Sequence, residues 1–213
     1  DWRGNADRIR AVLAEARKRQ VGLVCLPELC ITAYGCEDAF HGPAMHRRAA
    51  DVLMSLRPDT RGLAACIGLP VRYQHGIFNA VALLVDGTLR GVVAKQHLAG
   101  DGIHYEPRWF KPWAAGVQAE IDLGSGPVPF GDLHFDVGGV RVGFEICEDA
   151  WVARRPGGDL AAKGVDIIVN PSASHFAFGK LAVRKRLVAE GSRAFGVTYL
   201  YANQLGNNSG RVI

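Results

Sequence analysis

The sequence predicts an α/β protein in which two β-sheets are covered by outer helices. Three observations carry that expectation: amphipathic periodicity in three separate stretches, short apolar runs bounded by turn residues between them, and two Gly-containing dipeptides that each join a pair of such runs. The chain has 213 residues and is 48% hydrophobic. That is long enough for one domain, residues 1–213, to bury about 70 to 75% of its unfolded surface.

From the N-terminus, Ile9, Val12, Leu13 and Ala16 recur at helical spacing among charged residues and predict an amphipathic helix over residues 5–19, its apolar face on a sheet. Residues 21–27 form an apolar run closed by Glu28. Met45, Ala49, Val52, Leu53 and Leu56 repeat the helical pattern until Pro58 stops it, and residues 63–70 then read as a buried strand. Residues 77–85 and 88–94 are apolar runs joined at Asp86-Gly87, a hairpin signal that leaves Lys95 at the far end. Residues 96–131 mix Gly, Pro and aromatics with little periodicity and predict a long ordered loop, a length that usually has a functional cause. A second hairpin, 133–137 with 140–146 through Gly138-Gly139, ends at Cys147. Residues 165–170 read as a buried strand, 179–195 as a helix with Leu181, Leu187, Val188 and Phe195 inward, and 197–202 as a strand. No repeat, linker or low-complexity tract interrupts them.

Composition excludes several classes. The net charge of +4 is mild, and Arg184-Lys185-Arg186, beside Glu190 in a predicted helix, reads as a solvated face rather than a nucleic-acid site. Cys25, Cys30, Cys36, Cys66 and Cys147 are odd in number and lack CxxC pairs, as free thiols of a reducing, cytoplasmic compartment would. No apolar run reaches the roughly 18 to 20 residues of a membrane span, and Asp1-Trp2-Arg3 does not open a secretory signal. The seven histidines show no HxxxH or HExxH spacing, so packing or surface roles are expected for them and no metal site.

Chemistry is expected at three strand ends. Cys147 stands where an apolar run gives way to Glu148-Asp149-Ala150-Trp151, presented at a sheet edge with backbone N–H groups after it that favour negative charge. A thiol with a pKa near ~8.5 is only a few per cent ionised at neutral pH, so it needs a base during attack, for which Glu28 is the candidate. An oxyanion on a carbonyl substrate needs fixed donors, each contributing roughly 3 to 4 kcal/mol in a dry site. Lys95 and the Glu148 backbone N–H are candidates for these. The bland alternatives are a buried structural thiol, a surface acid or helix cap and a solvated lysine, with Glu106 in an ion pair to Arg108 or another basic group.

The run 26–35 (Leu-Pro-Glu-Leu-Cys-Ile-Thr-Ala-Tyr-Gly), the run 95–102, Tyr105-Glu106-Pro107-Arg108-Trp109-Phe110, Glu145-Ile146-Cys147-Glu148-Asp149-Ala150-Trp151, Asn170-Pro171-Ser172-Ala173-Ser174 and Tyr201-Ala202-Asn203-Gln204 together resemble the carbon-nitrogen hydrolase (nitrilase) superfamily, and within it the glutaminase domains of glutamine-dependent NAD+ synthetases. The resemblance covers nearly the whole chain. It implies a four-layer α-β-β-α sandwich, here expected to be truncated at both ends, before a first strand and at Arg211-Val212-Ile213, and assembled into dimers or larger homo-oligomers. It also implies a Glu28, Lys95 and Cys147 triad, Glu106 as a fourth residue orienting it, and L-glutamine as the substrate. By position, Ser174 and Lys180 match residues holding the amino-acid end of glutamine. Asp101 replaces a tyrosine six residues beyond the lysine, Tyr105 is a compensating candidate, and Glu148 and Trp151 flank the nucleophile as pocket walls. No cofactor is expected in this domain: ATP, Mg and deamido-NAD would belong to a synthetase domain receiving the ammonia, whose Ser-Gly-Gly pyrophosphate loop this sequence lacks. A stand-alone amidase or nitrilase-type hydrolase of another small amide remains an alternative. So does a catalytically silent domain kept for oligomerisation or for gating a partner.

Overall fold

The computed structural model describes residues 1–208 and the backbone of Arg211 and Val212; Ser209, Gly210 and Ile213, including the end of the expected truncation point, lie outside the described residues. Two sheets pack face to face. The first has the order β1 (Leu23–Cys25), β2 (Ala64–Tyr73), β3 (Gly76–Val85), β4 (Thr88–Ala94), β6 (Pro127–Gly131), β5 (Gln118–Asp122). The second runs β10 (Thr198–Asn203), β9 (Ile167–Ser172), β8 (Val140–Phe144), β7 (Phe135–Val137). A two-stranded ribbon pairs β11 (Asn207–Asn208) with β12 (Arg211–Val212).

Side-chain alternation builds the layers. In β2, Ala65, Ile67, Leu69 and Val71 face one way, into a core closed by Ile9 and Leu13 of α1 (Trp2–Lys18) and by Ala49 and Leu53 of α2 (Pro43–Ser55). Ala64 and Cys66 face the other way and meet Val142, Phe144 and Val169 between the sheets. Both faces of β2 are therefore buried, which is why it reads as a continuous apolar run. On the outer face of the second sheet, Leu160 of α4 (Pro156–Ala162) packs with Ile168 and Tyr199, joined by Val188 and Phe195 of α5 (Lys180–Phe195). The result is the expected order of helix, sheet, sheet, helix.

Both predicted hairpins form with left-handed turn residues, Asp86 (φ 49°) and Gly87 (φ 78°), then Gly138 (φ 63°) and Gly139 (φ 85°). The first helix begins three residues earlier than expected because the Asp1 carboxylate accepts a hydrogen bond from the Gly4 N–H at 2.9 Å. Two expectations are corrected. The stretch 96–131 is no continuous loop: it contains α3 (Glu106–Trp109) and the β5–β6 hairpin, and Phe130 and Gly131 pair with Val92 and Val93 of β4. Pro127 and Pro129 hid that strand, but neither lies in the pairing to β4, where a missing N–H would matter. Leu181 does not point inward. It is 62% exposed, because α5 meets the sheet through its later turns while its first turn stands clear.

Candidate active site

Three chain segments bring the site together at one end of the sandwich. After β1 the chain bends through Pro27, Glu28 and Leu29, the last in the left-handed region at φ 50°. That bend lies directly on Gly68 of β2, where an added Cβ would sit 2.4 Å from the Leu29 nitrogen, so only glycine allows the approach. Lys95 follows β4, its N–H donating to the Asn79 carbonyl at 2.9 Å and its carbonyl accepting from Trp113 N–H at 2.9 Å. Cys147 follows the second-sheet strand β8 and opens a 3-10 turn, Cys147–Ala150, with φ 47° at the cysteine itself. A non-glycine residue in that region stores roughly 1 to 3 kcal/mol of strain, a cost that clusters at functional sites.

Glu28, Lys95 and Glu106 are all completely buried. The Lys95 Nζ donates to Glu28 Oε1 at 2.7 Å and to Glu106 Oε1 at 2.8 Å. Every remaining acceptor is occupied: Asn79 Nδ2 donates to Glu28 Oε1 at 2.7 Å, Ala173 N–H to Glu28 Oε2 at 2.8 Å, Tyr34 Oη to Glu106 Oε1 at 2.9 Å and Ala99 N–H to Glu106 Oε2 at 3.1 Å. The basic group paired with Glu106 is Lys95 and not Arg108, which forks onto Asp38 at 2.6 and 2.8 Å. Burial works against the Lys95 charge, but Glu106 and Glu28 outweigh it and hold the ammonium well above its ordinary pKa. Burial also raises the Glu106 carboxyl, against the pull of Lys95.

Cys147 is 5% exposed and lines a cavity of about 300 Å³. Burial pushes its thiol up, Glu28 adds to the shift and Lys95 opposes it. The turn N–H groups were expected to favour the thiolate; desolvation outweighs them, so the resting sulfur is protonated. Asp101, Glu148, Trp151, Ser174 and Lys180 line the same cavity, together with Ala99, His104 and His175. Lys180 is half-buried, with Nζ 5.8 Å from the Trp151 ring centroid. Ser174 is buried, its Oγ accepting from Arg184 at 3.2 Å. Tyr105 is a correction: its side chain is 55% exposed and is not part of the cavity wall. A larger groove, about 670 Å³ between α1 and the edges of β1 and β10, contains none of these groups.

Several participants went unread in the sequence. Asn79 had a signal, a lone amide inside the apolar run of β3. Tyr34 lies in the quoted Leu-Pro-Glu motif. The lack of metal spacing points His104 and His175 to packing or surface roles, yet they stand in the cavity wall and extend its hydrogen bonds: Tyr34 Oη meets His104 Nδ1 at 3.0 Å, His104 Nε2 meets His175 Nδ1 at 2.9 Å, and Lys180 Nζ meets His175 Nε2 at 3.1 Å. Burial holds His104 down to about 4, so it is neutral at physiological pH.

A two-sheet sandwich that buries an acid, a lysine and a second acid beside a cysteine on a small cavity has the makings of a thiol-dependent hydrolase of C–N bonds. Comparison with known proteins agrees. The carbon-nitrogen hydrolase family model matches residues 1–213, and the chain belongs to that family. A putative glutamine-dependent NAD(+) synthetase of Schizosaccharomyces pombe is 33% identical across the whole chain, which covers 32% of that relative; the chain thus spans about a third of its length. The crystal structure of a glutamine-dependent NAD(+) synthetase from Cytophaga hutchinsonii superposes with a TM-score of 0.90 at 38% identity, over all of this chain and 37% of that one. An amidase from Nesterenkonia sp. AN1 shares the fold, with a TM-score of 0.80 at 22% identity over all of this chain and 77% of that one.

Proposed function

We propose that this domain hydrolyses the side-chain amide of L-glutamine and that its ammonia passes to a synthetase domain or subunit amidating deamido-NAD+. The observation that carries this reading is the Lys95 ammonium held between two buried carboxylates beside a protonated thiol that opens on a small cavity bearing Lys180 and Asp101. Relatives named as glutamine-dependent NAD(+) synthetases support the choice of amide.

In this mechanism Glu28 takes the Cys147 proton as sulfur bonds to the amide carbon. Lys95 and the Glu148 N–H hold the oxyanion, and Glu106 keeps Lys95 aimed by accepting one of its N–H bonds. The C–N bond breaks as Glu28 returns the proton to the leaving nitrogen, giving ammonia and a thioester. Water, deprotonated by Glu28, then attacks the thioester; glutamate leaves and the proton goes back to sulfur. Lys180 pairs with the substrate α-carboxylate and Asp101 with its α-ammonium, while Ser174, Glu148 and Trp151 shape the wall. The domain uses no cofactor of its own; ATP, Mg and deamido-NAD serve the synthetase part.

The free state of all five cysteines supports a cytoplasmic setting, and among the described residues no helix is long and apolar enough to cross a membrane. Exposed Phe176 and Phe178 (97%) just before α5 and Leu181 in its first turn support a homo-oligomer.

Kinetics with glutamine against short aliphatic amides and nitriles test the substrate; preference for the latter discards it. Cys147→Ala lowers turnover by at least about 10³-fold with the unfolding midpoint retained, and activity kept within about tenfold refutes the assignment. Mass spectrometry after reaction with a glutamine-like electrophile finds the adduct on Cys147.

A further inference from the structure

The Asp149 carboxylate plays no part in the chemistry above, yet it touches both halves of the site. It is 2% exposed. Its Oδ1 accepts the Gln96 N–H at 3.1 Å and the His97 N–H at 2.7 Å, the two peptides directly after Lys95. Its Oδ2 accepts the Ile146 N–H at 2.9 Å, the peptide directly before Cys147. These two segments leave strands of different sheets, β4 of the first and β8 of the second. No ladder joins those strands. Between the sheets lies a shared apolar cluster that includes Val93, Val142 and Phe144; such non-directional packing resists separation but is a poor guard against sliding along the strand axes.

We propose that Asp149 is a positioning residue that stitches the two sheets at their catalytic ends and so sets the distance from the Lys95 ammonium to the Cys147 sulfur. The geometry matters because a displacement of about 1 Å between reacting groups costs on the order of 10²-fold in rate. The Ile146 bond also braces the turn that holds Cys147 in its left-handed conformation, together with the Asp149 N–H, which donates to the Ile146 carbonyl at 3.1 Å.

The inference rests on the glutaminase reading for its kinetic arm and is separable from it. Asp149→Asn keeps one acceptor oxygen but sets an amide N–H₂ against a backbone N–H. With active sites counted by Cys147 titration, kcat per site falls about 10²-fold while KM for glutamine stays within about threefold. A purely structural Asp149 would reduce the number of titratable sites and leave kcat per site unchanged, which overturns the proposal. If the wild-type enzyme does not hydrolyse glutamine, the glutaminase reading fails alone; the stitch is then read from Cys147 alkylation by iodoacetamide, about tenfold slower in Asp149→Asn, with equal rates overturning it. Should the variant not fold, hydrogen exchange on the unmodified protein decides. The Gln96, His97 and Ile146 amides exchange as slowly as those of β4 and β8, and loop-like exchange at any of the three overturns the proposal.

Discussion

Glu28 and Glu145 are both fully buried carboxylates that follow a strand, β1 and β8 respectively, but their surroundings differ in charge balance. Glu145 has one cation to itself. Arg155 donates to it at 2.6 and 3.2 Å, Tyr199 Oη donates as well, and the Gly157 N–H closes the set at 2.8 Å. A Cβ at Gly157 would lie 2.7 Å from the Glu145 carboxylate and 2.5 Å from Phe195, so any larger residue there would displace one of these side chains. Around Glu28, by contrast, one ammonium serves two carboxylates, and the neighbouring Cys147 lines a cavity. In the second arrangement burial and the neighbouring Glu28 charge both raise the Glu106 carboxyl, against the pull of the one shared lysine. Glu145 stands only two residues before Cys147, so nearness in sequence does not decide which role a residue takes. The direction of its side chain does.

The comparison is sharpest at the lysine. Lys95→Met leaves Glu28 and Glu106 facing each other without a cation and removes the proposed oxyanion donor; kcat falls by at least about 10²- to 10³-fold, and activity near wild type would collapse the distinction between the two networks. Glu145→Gln has the opposite signature. It breaks a buried pair and destabilises the fold by about 3 to 5 kcal/mol in denaturant unfolding, while turnover per folded molecule stays within about twofold. A loss of turnover at unchanged stability would show that this network also serves the chemistry.

A pH titration probes the cavity side again. Burial holds His104 at about 4, below the ordinary 6.5, so the unfolded chain takes up the proton first. Its contribution to stability is complete above 6.5 and disappears as pH falls towards 4. Thermal unfolding followed across that window therefore shows a loss that His104→Gln diminishes; an identical pH profile in both proteins rejects the assignment. The smallest effect belongs to the exposed Arg108–Asp38 fork. Arg108→Ala leaves unfolding midpoint and kinetics unchanged within error, because solvent screens such pairs.

Much of this was legible beforehand, for reasons visible residue by residue. Glu28, Lys95 and Cys147 each close an apolar run, and strands that run into one end of a sandwich deliver the residues after them to the same place. Asp86-Gly87 and Gly138-Gly139 marked their hairpins because left-handed turns demand such residues. The β5–β6 hairpin was masked by prolines that are harmless only given the particular pairing to β4. His104 and His175 carried no metal spacing, and their 71-residue separation concealed a direct contact.

The information carried by the chain alone was local: which stretches turn or extend, which faces are apolar, and which reactive side chains stand at strand ends. Backbone sterics and hydrophobic periodicity act within a few residues and can be read there. It took the closed sandwich to establish that one lysine is shared by two acids, that Tyr105 stays outside the cavity while two histidines enter it, and that Asp149 spans both sheets. Those outcomes depend on desolvation and on hydrogen bonds between segments tens of residues apart, and neither exists until the layers have come together.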